Sequence, residues 1–483
     1  MKAAAENFIY ENKFDMEEVN MSKADVDKKT LLTWLGIIGI PLLVALIPTG
    51  ESFTLEVKIF FVVTLFGIMC MVTGPFDSAI GCLFMMAGYC LLGIAPFATV
   101  FSSFANTVPW TVYGCLLLLN IVQNKTKLIE RIACKCMIIT GGTYKGIIFG
   151  MIILGIIINL FIPGVFTGLA IAAIAYGICK ALDLGISKAS SGIMLAAVIG
   201  FIDAWRFIYC PPDMGVLIGI ASAVTPLDMD YLTYFTYNVP WIVFPFVMAV
   251  IIIKICKPEK VIDGKTYFIQ RQSELGALTP NEKKTLVVLI LFMIYLFTYR
   301  WHGLEMVYGF VLAPLLLYLP IFNVATREDL MTVNFPMMVF VAGCLSIGSV
   351  ATYIGIPQLI SDIVVPLLEG RTNAFYLGFV YWFTVMFNLV MTPMAMMTAF
   401  SVPLTQIALD MGMSTAFPTL FTMNAGAYNL FLPYEAVLVA GMYQGFGNTK
   451  LSLFVKVFVI KMLLTFLWIM FIMVPYYEFV HII

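Results

Sequence analysis

The stretch IGFIDAWRFIYCPPDMGVLIG, residues 199–219, places three charged side chains inside an otherwise apolar run. A lone charge at membrane depth costs at least about 2.5–3.5 kcal/mol, so Asp203, Arg206 and Asp213 should be paired or solvated. The Pro211-Pro212 pair cannot continue a helix and leaves backbone carbonyls free to meet an ion or a substrate. The run therefore predicts a broken membrane helix that carries a functional site.

Two interpretations of Arg206 follow from its position. Its planar guanidinium has the geometry to bind a carboxylate, sulfate or phosphate group, which makes it the candidate contact for an anionic substrate. Alternatively, Asp203 and Arg206 are three residues apart and can face each other on one helical turn, which would make them a structural ion pair. The residues alone leave both interpretations open.

The composition supports a membrane location for this run. Of 483 residues, 61% are hydrophobic and only 11% are charged, against roughly 25% charged in soluble domains. A soluble globular enzyme and a disordered chain are both excluded. A net charge of −1 offers no basic surface, so no nucleic-acid partner is expected. The bilayer is the expected surrounding, and the ten cysteines and two histidines form no metal-binding pattern.

The apolar runs predict an all-α polytopic protein with about eleven transmembrane helices and two re-entrant hairpins. Residues 1–29 form a polar arm, and residues 254–286 form a connector rich in lysine and arginine. Basic loops face the cytoplasm, which predicts a cytoplasmic N-terminus and an external C-terminus in the cell membrane. No motif of an enzyme, such as a P-loop or G-x-S-x-G, is present, so no catalytic residue is expected.

The segments on either side of the connector, 30–253 and 287–483, resemble each other. Val112-Tyr113-Gly114-Cys115-Leu116 matches Val341-Ala342-Gly343-Cys344-Leu345, and Asn159-Leu160 matches Asn388-Leu389 at the same spacing of 229 residues. With an odd number of spans each, the halves would insert in opposite orientations. Inverted repeats of this kind are typical of secondary transporters, whose sites lie near the middle of the bilayer.

The second half contains a counterpart of the opening stretch in TMNAGAYNLFLPYEAVLVAG, residues 422–441. Glu435 follows a proline, as Asp213 does, so each half carries one carboxylate at a broken helix. Such acids can bind cations or carry protons, although acids also simply cap helix N-termini. The candidate residues for a coupling ion are Asp203, Asp213, Asn424 and Glu435.

The predicted hairpin tips lie at 159–164 and 388–393. Half-helix N-termini at such tips can bind an anion, whereas an asparagine in a membrane helix often bonds only to a neighbouring helix. With Arg206, the candidate substrate-binding residues are Asn159, Pro163, Gly164, Asn388, Thr392 and Pro393.

Over about residues 31–475 the chain resembles the divalent anion/sodium symporter family, within the wider ion transporter superfamily. Cys210-Pro211-Pro212-Asp213 and Leu432-Pro433-Tyr434-Glu435 are similar to the family's Thr-Pro-Pro-Asn-like segments. The resemblance implies a scaffold domain and a transport domain, an elevator movement and a homodimer. The family's Ser-Asn-Thr tip motifs are missing, and acids replace the asparagine of both segments, so sodium and proton coupling both stay open.

These observations predict an ion-coupled secondary transporter, a symporter of a small anion. The resemblance implies a dicarboxylate, a tricarboxylate or an inorganic oxyanion such as sulfate as substrate. A sodium ion or a proton is the only cofactor-like component expected. The alternative is a cation/proton antiporter of the same superfamily, in which the acids form the site and Arg206 is merely paired to Asp203.

Overall fold

The computed structural model describes residues 23–50, 53–73, 75–163, 165–356, 359, 371–388, 393–429 and 449–483. Throughout these ranges the chain is helical, as the apolar runs predict, and an isolated bridge pairs Thr143 with Asp263. The predicted tip residues Gly164 and Thr392 lie outside the described residues, as does Glu435.

The first half contains helices of unequal length. They are α1 (Lys23–Ala45), α2 (Leu55–Thr73), α3 (Ser78–Leu91), α4 (Phe97–Phe101), α5 (Thr107–Lys125), α6 (Leu128–Ile139), α7 (Tyr144–Phe161), α8 (Val165–Ala181), α9 (Lys188–Ala204), α10 (Val216–Ala221), α11 (Tyr231–Tyr237) and α12 (Phe244–Ile255). A wide helical turn, Pro211–Gly215, precedes α10. The two prolines at its start explain why α9 cannot run on into α10.

The connector and the second half also consist of helices of unequal length. Their helices are α13 (Lys265–Leu275), α14 (Pro280–Phe297), α15 (Tyr299–His302), α16 (Met306–Leu316), α17 (Arg327–Met331), α18 (Phe335–Tyr353), α19 (Asn373–Asn388), α20 (Pro393–Asp410), α21 (Phe417–Ala427), α22 (Leu451–Trp468) and α23 (Val474–Phe479). Helices α7 and α8, and likewise α19 and α20, are separated at the two predicted hairpin tips.

Helix length and hydropathy identify fewer complete spans than the sequence predicts. Among the described residues, four helical segments are long and apolar enough to cross a membrane: Phe97–Lys125, Tyr144–Phe161, Arg327–Tyr353 and Leu451–Phe479. A fifth is added if α11 and the segment Val239–Ile255, bent by 74°, count together. Shorter apolar helices, such as Pro211–Ala221, are interrupted pieces of the kind that line a cavity. The figure of about eleven spans stays a prediction.

The spacing of the helices repeats between the two halves. Helix α7 begins at residue 144 and α19 at residue 373, and α9 begins at residue 188 and α21 at residue 417. Both differences equal the 229-residue spacing of the sequence matches. The helices that carry the predicted site therefore occur in the same order in both halves, while their inverted insertion stays a prediction.

A close crossing of α7 and α9 positions the first broken helix. A Cβ atom added at Gly200 would lie 2.6 Å from the Cα of Ile152, and one added at Gly155 would collide with the backbone of Gly200. Only glycine permits this approach, because any side chain would push the helix axes apart. The crossing brings the predicted tip helix against the last turns of α9.

The connector is attached to the first half by a buried ion pair. Arg131, on α6, lies 3.0 Å from the Glu282 carboxylate through its Nε, and its other nitrogens donate to the carbonyls of Leu275, Gly276 and Ala277. Glu282 also accepts from the backbone N–H of Thr279 in a capping box that starts α14. One carboxylate thus joins the first half to the connector and begins the helix that leads into the second half.

The Arg131–Glu282 pair predicts a measurable pH dependence of stability. Burial acts to raise the pKa of Glu282, but hydrogen bonds from Arg131 and from backbone amides outweigh it and lower that pKa. A carboxyl group whose pKa is lowered by folding stabilises the protein above its unfolded pKa, and this contribution is lost as the pH falls through the folded pKa. Glu282→Gln should therefore cost on the order of 3 kcal/mol near neutral pH.

Thermal unfolding of the purified protein at several pH values tests this expectation. The difference between wild type and Glu282→Gln should be largest at neutral pH and should shrink below about pH 4.5. Glu259→Gln is the matched control, because Glu259 is 77% exposed and lies 3.8 Å from Lys188. A constant difference across the pH range would contradict the role of the carboxylate charge.

Candidate functional site

The charged residues of the opening stretch lie buried between the two halves. Asp203 is in the last turn of α9, Arg206 follows that helix, and Asp213 is in the Pro211–Gly215 turn. Each is at most 2% exposed. Asn424, on α21, is 1% exposed and lies among them. The structure therefore brings together four residues that the sequence selected separately in the two halves.

The side-chain amide of Asn424 bridges Arg206 and Asp213. Its Nδ2 donates to Asp213 Oδ2 at 2.7 Å, and its Oδ1 accepts from Arg206 Nη1 at 3.0 Å. Arg206 Nη2 donates to the carbonyl of Ala425 at 3.1 Å. A side-chain amide offers a donor to the carboxylate and an acceptor to the guanidinium at the same time, from two separate atoms. Opposite charges are thereby held on either side of a neutral group.

Asp213 receives a second hydrogen bond from the end of α21. The hydroxyl of Tyr428 donates to Asp213 Oδ1 at 2.5 Å, so both carboxylate oxygens have donors. Tyr428 immediately follows the last residue of α21, where the helix breaks. The first broken helix is thus held against the second by a carboxylate that accepts one bond from a phenol and one from an amide.

The structure does not show the Asp203–Arg206 ion pair, which was one of the two interpretations that the sequence leaves open. Within the described part of the chain, the ion-pair partner of Asp203 is Lys461, whose Nζ lies 3.0 Å from Asp203 Oδ1. Helix α9 ends at Ala204, so Arg206 lies beyond the last helical turn. The facing rule for residues three apart holds only inside a helix and does not apply there.

Lys461 is the functional candidate that the sequence interpretation missed. It lies in the apolar helix α22, is fully buried, and donates to the backbone carbonyl of Tyr428 at 3.0 Å. The signal was present, because a lysine inside an apolar helix carries the same cost that singles out Asp203 and Arg206. The surrounding apolar sequence reads as an ordinary membrane span and also contains Lys456, so a lysine there does not stand out by composition.

Aromatic rings close the site against water. The ring of Trp241 lies 5.8 Å from the Arg206 guanidinium carbon, a cation–π distance. Trp205 and Tyr428 meet edge to face with ring centres 5.4 Å apart. Charge interactions are stronger in such a dry environment than in water.

The two hairpin asparagines are both buried, and Asn159 is bonded to Trp205, the neighbour of Arg206. Asn159 is fully buried, donates to the carbonyls of Gly155 and Phe201 at 2.8 and 3.1 Å, and accepts from Trp205 Nε1 at 2.6 Å. In this state it bonds to a neighbouring helix, which is the simpler of its two interpretations. Asn388 is 2% exposed.

Pro163 and Pro393 are buried beside the helix breaks. Direct contact of the hairpin tips with a substrate stays a prediction.

A cavity of about 380 Å³ lies on the other side of the Pro211–Gly215 turn. Tyr209, Asp228 and Glu305 contribute to its lining, together with Pro211 and Gly215, whereas Asp213 does not. Its size suits a small molecule. Two carboxylates in its lining would repel an anion, so the charge of this cavity does not suit an anionic substrate.

Arg206 retains an unused donor for such a contact. Its Nη atoms are bonded to the chain, but its buried Nε has no hydrogen-bond partner among the described residues. A buried N–H without a partner costs about 1–3 kcal/mol, which a bound acceptor would recover. The guanidinium is therefore held in one orientation by the protein, while its Nε–H has no acceptor among the described residues.

Comparison with known proteins gives a family and a fold. The family model CitMHS, described as a citrate transporter, matches residues 59–426. The YdaH transporter of Alcanivorax borkumensis, whose crystal structure is described as revealing an unusual topology, is similar over 91% of this chain and 98% of its own. The TM-score is 0.53 at 12% identity, which is a likeness of fold. No curated protein matches the sequence.

Replacing the bridging amide should destabilise the protein. Asn424→Leu keeps the number and branching of the side-chain heavy atoms but leaves one buried atom of Arg206 and one of Asp213 without a partner, each at a cost of about 1–3 kcal/mol. Thermal unfolding of the purified protein in detergent measures the loss. Asn124→Leu, at an exposed position of α5, is the control, and equal melting temperatures for the two variants would contradict the bridge.

Proposed function

The chain belongs to the CitMHS citrate transporter family, and on that premise we propose that its substrate is citrate or a closely related di- or tricarboxylate. Family membership makes it a multi-pass membrane protein and a secondary transporter of carboxylate-type anions, not an enzyme. The finer assignments concern the substrate contact, the coupling ion and the movement. They are supported by the arrangement of charges between the two broken helices.

The proposed substrate contact is Arg206, and the unpartnered Nε carries this assignment. The guanidinium is held at both Nη atoms by Asn424 and Ala425, so it cannot rotate away when a carboxylate arrives. A carboxylate is the acceptor that suits such a fixed, planar donor. Trp241 covers the guanidinium and limits competition from water.

The proposed coupling residue is Asp213, through the charge it shares with Arg206. In the present arrangement the guanidinium compensates the carboxylate across the Asn424 amide. An anionic substrate at Arg206 would take that compensation away and make a cation, either sodium or a proton, more favourable at Asp213. Coupling of this kind is reciprocal, so the cation would strengthen substrate binding by the same factor. In the second half, the proposed counterpart of Asp213 is Glu435.

The proposed movement is an elevator shift within a dimer, as the divalent anion/sodium symporter resemblance implies. Two separate apolar clusters support two moving parts. One joins α2, α3 and α4 to α18 and also includes Val216 and Ile220 of α10 and Val402 of α20. The larger one contains most of the other hairpin and broken-helix residues. We also propose a cytoplasmic N-terminus and an external C-terminus, on the distribution of basic loops.

The antiporter alternative requires that Arg206 be neutralised by Asp203. Lys461 takes that position on Asp203 instead, and Arg206 faces the second half of the chain. This arrangement favours an anion at Arg206, since the guanidinium has no carboxylate in direct contact among the described residues.

Uptake of labelled citrate into proteoliposomes tests the substrate assignment. Arg206→Lys keeps the charge but loses the fixed planar donors, and it should weaken apparent citrate affinity by about 10–100-fold, the value of one charged hydrogen bond. Arg327→Lys, at an exposed position, should transport like wild type. Wild type that carries none of citrate, succinate or sulfate would contradict the proposed function, and an unchanged Arg206→Lys would contradict the contact.

Separate sodium and proton gradients in the same assay test the coupling assignment. Asp213→Asn removes the charge that must be compensated, so the gradient that drives wild-type uptake should no longer stimulate uptake by the variant. Asp410→Asn, on the same chain but outside the charged site, is the control and should keep the gradient response. A full gradient response in Asp213→Asn would show that coupling resides elsewhere.

A further inference from the structure

Lys461 lies among oxygen atoms that resemble the ligands of a small cation. Its Nζ is 3.0 Å from a carboxylate oxygen of Asp203 and 3.0 Å from the backbone carbonyl oxygen of Tyr428. The Phe458 ring centre is 6.0 Å away on the same helix. No other ion pair to Asp203 occurs in the described part of the chain.

The carbonyl of Tyr428 lies at the C-terminal cap of α21, and this helix ends inside the protein, where Tyr428 is buried. Half-helix C-termini carry partial negative charge and unwound carbonyls, and transporters use them with nearby carboxylates to hold sodium. Here an ammonium group on a side chain takes that position.

A second observation is that the carboxylate of Asp203 can make more contacts than Lys461 makes with it. Asp203 is fully buried, and within the ranges that the structure describes neither of its carboxylate oxygens accepts a hydrogen bond. Its Oδ1 has the ion-pair contact of 3.0 Å with Lys461, and its Oδ2 has none. A lysine on a long stem reaches one carboxylate oxygen, whereas a free cation can approach both. The oxygen set is thus incompletely used by the lysine.

We propose that Lys461 is a tethered counter-cation that occupies a cation site between α9, α21 and α22. Because its ammonium group fills this site, no free sodium ion binds there. Asp213 is then the position in the first half where a transported cation binds. This inference rests on the proposed transport function. In it, Lys461 is a residue that determines ion specificity. Asp203 then serves the lysine and not a mobile ion.

An ordinary structural ion pair makes a different prediction. If Lys461 only fastens the helices together, removing it destabilises the protein by an amount that no small cation restores. If it fills a cation site, removing it leaves a carboxylate and a carbonyl that a small cation can occupy in its place. Cation rescue therefore separates the two roles.

Thermal unfolding of the purified full-length protein gives a test that does not depend on citrate transport. Lys461→Met should melt at a lower temperature than wild type in N-methylglucamine chloride. Replacing that salt with sodium or lithium chloride should raise its melting temperature by at least about 2 °C, because ligands stabilise the folded state they bind. This rise should exceed by at least about 2 °C any rise in wild type or in Lys456→Met, at an exposed position of the same helix, because in those proteins the proposed cation position is Asp213 alone.

The double variant Asp203→Asn/Lys461→Met removes both charges and should lose this excess sodium response. Lys461→Gln, purified in sodium and then exchanged into N-methylglucamine, replaces Lys461→Met if the latter does not fold. A sodium response in the double variant equal to that of Lys461→Met, or a response in Lys461→Met and Lys461→Gln no larger than that of wild type, would overturn the proposal. The proposed function fails separately, through wild type that transports no carboxylate in proteoliposomes.

Discussion

The amide of Asn424 is the interaction on which the site depends. It gives a donor to Asp213 and an acceptor to Arg206, and each of those groups would be costly to bury alone. The guanidinium and the carboxylate belong to the first broken helix, and the amide belongs to the second. Neither half of the chain can satisfy its own charges, so the two halves must meet before the site exists.

The sequence predicts most of the elements and few of the contacts. Prolines at 211 and 212 and the apolar context of Asp203, Arg206 and Asp213 locate the break, since helix continuity and charge burial are local constraints. The partner of each charge is not local. Asn424 and Tyr428 reach Asp213 only after more than 200 residues of chain have folded back, and no spacing rule relates them.

Two particular errors have physical causes. The expected pairing of Asp203 with Arg206 assumed one continuous helix, but α9 ends between them at Ala204. Lys461 was overlooked because the run around it satisfies the hydropathy of a span, and a window average conceals one charge. Asn159 illustrates the opposite case, since its bonds to Gly155, Phe201 and Trp205 fulfil the simpler of two interpretations that the sequence left open.

The positions of Trp205 and Trp241 make their fluorescence sensitive to the site. Trp241 lies against the guanidinium of Arg206, and the indole N–H of Trp205 is bonded to Asn159 beside the hairpin tip. Both indoles are nearly inaccessible to solvent, so their emission reports on neighbouring protein groups and not on bulk water. Two of the chain's seven tryptophans therefore form an intrinsic fluorescence probe, built into the wall of the site, that needs no added label.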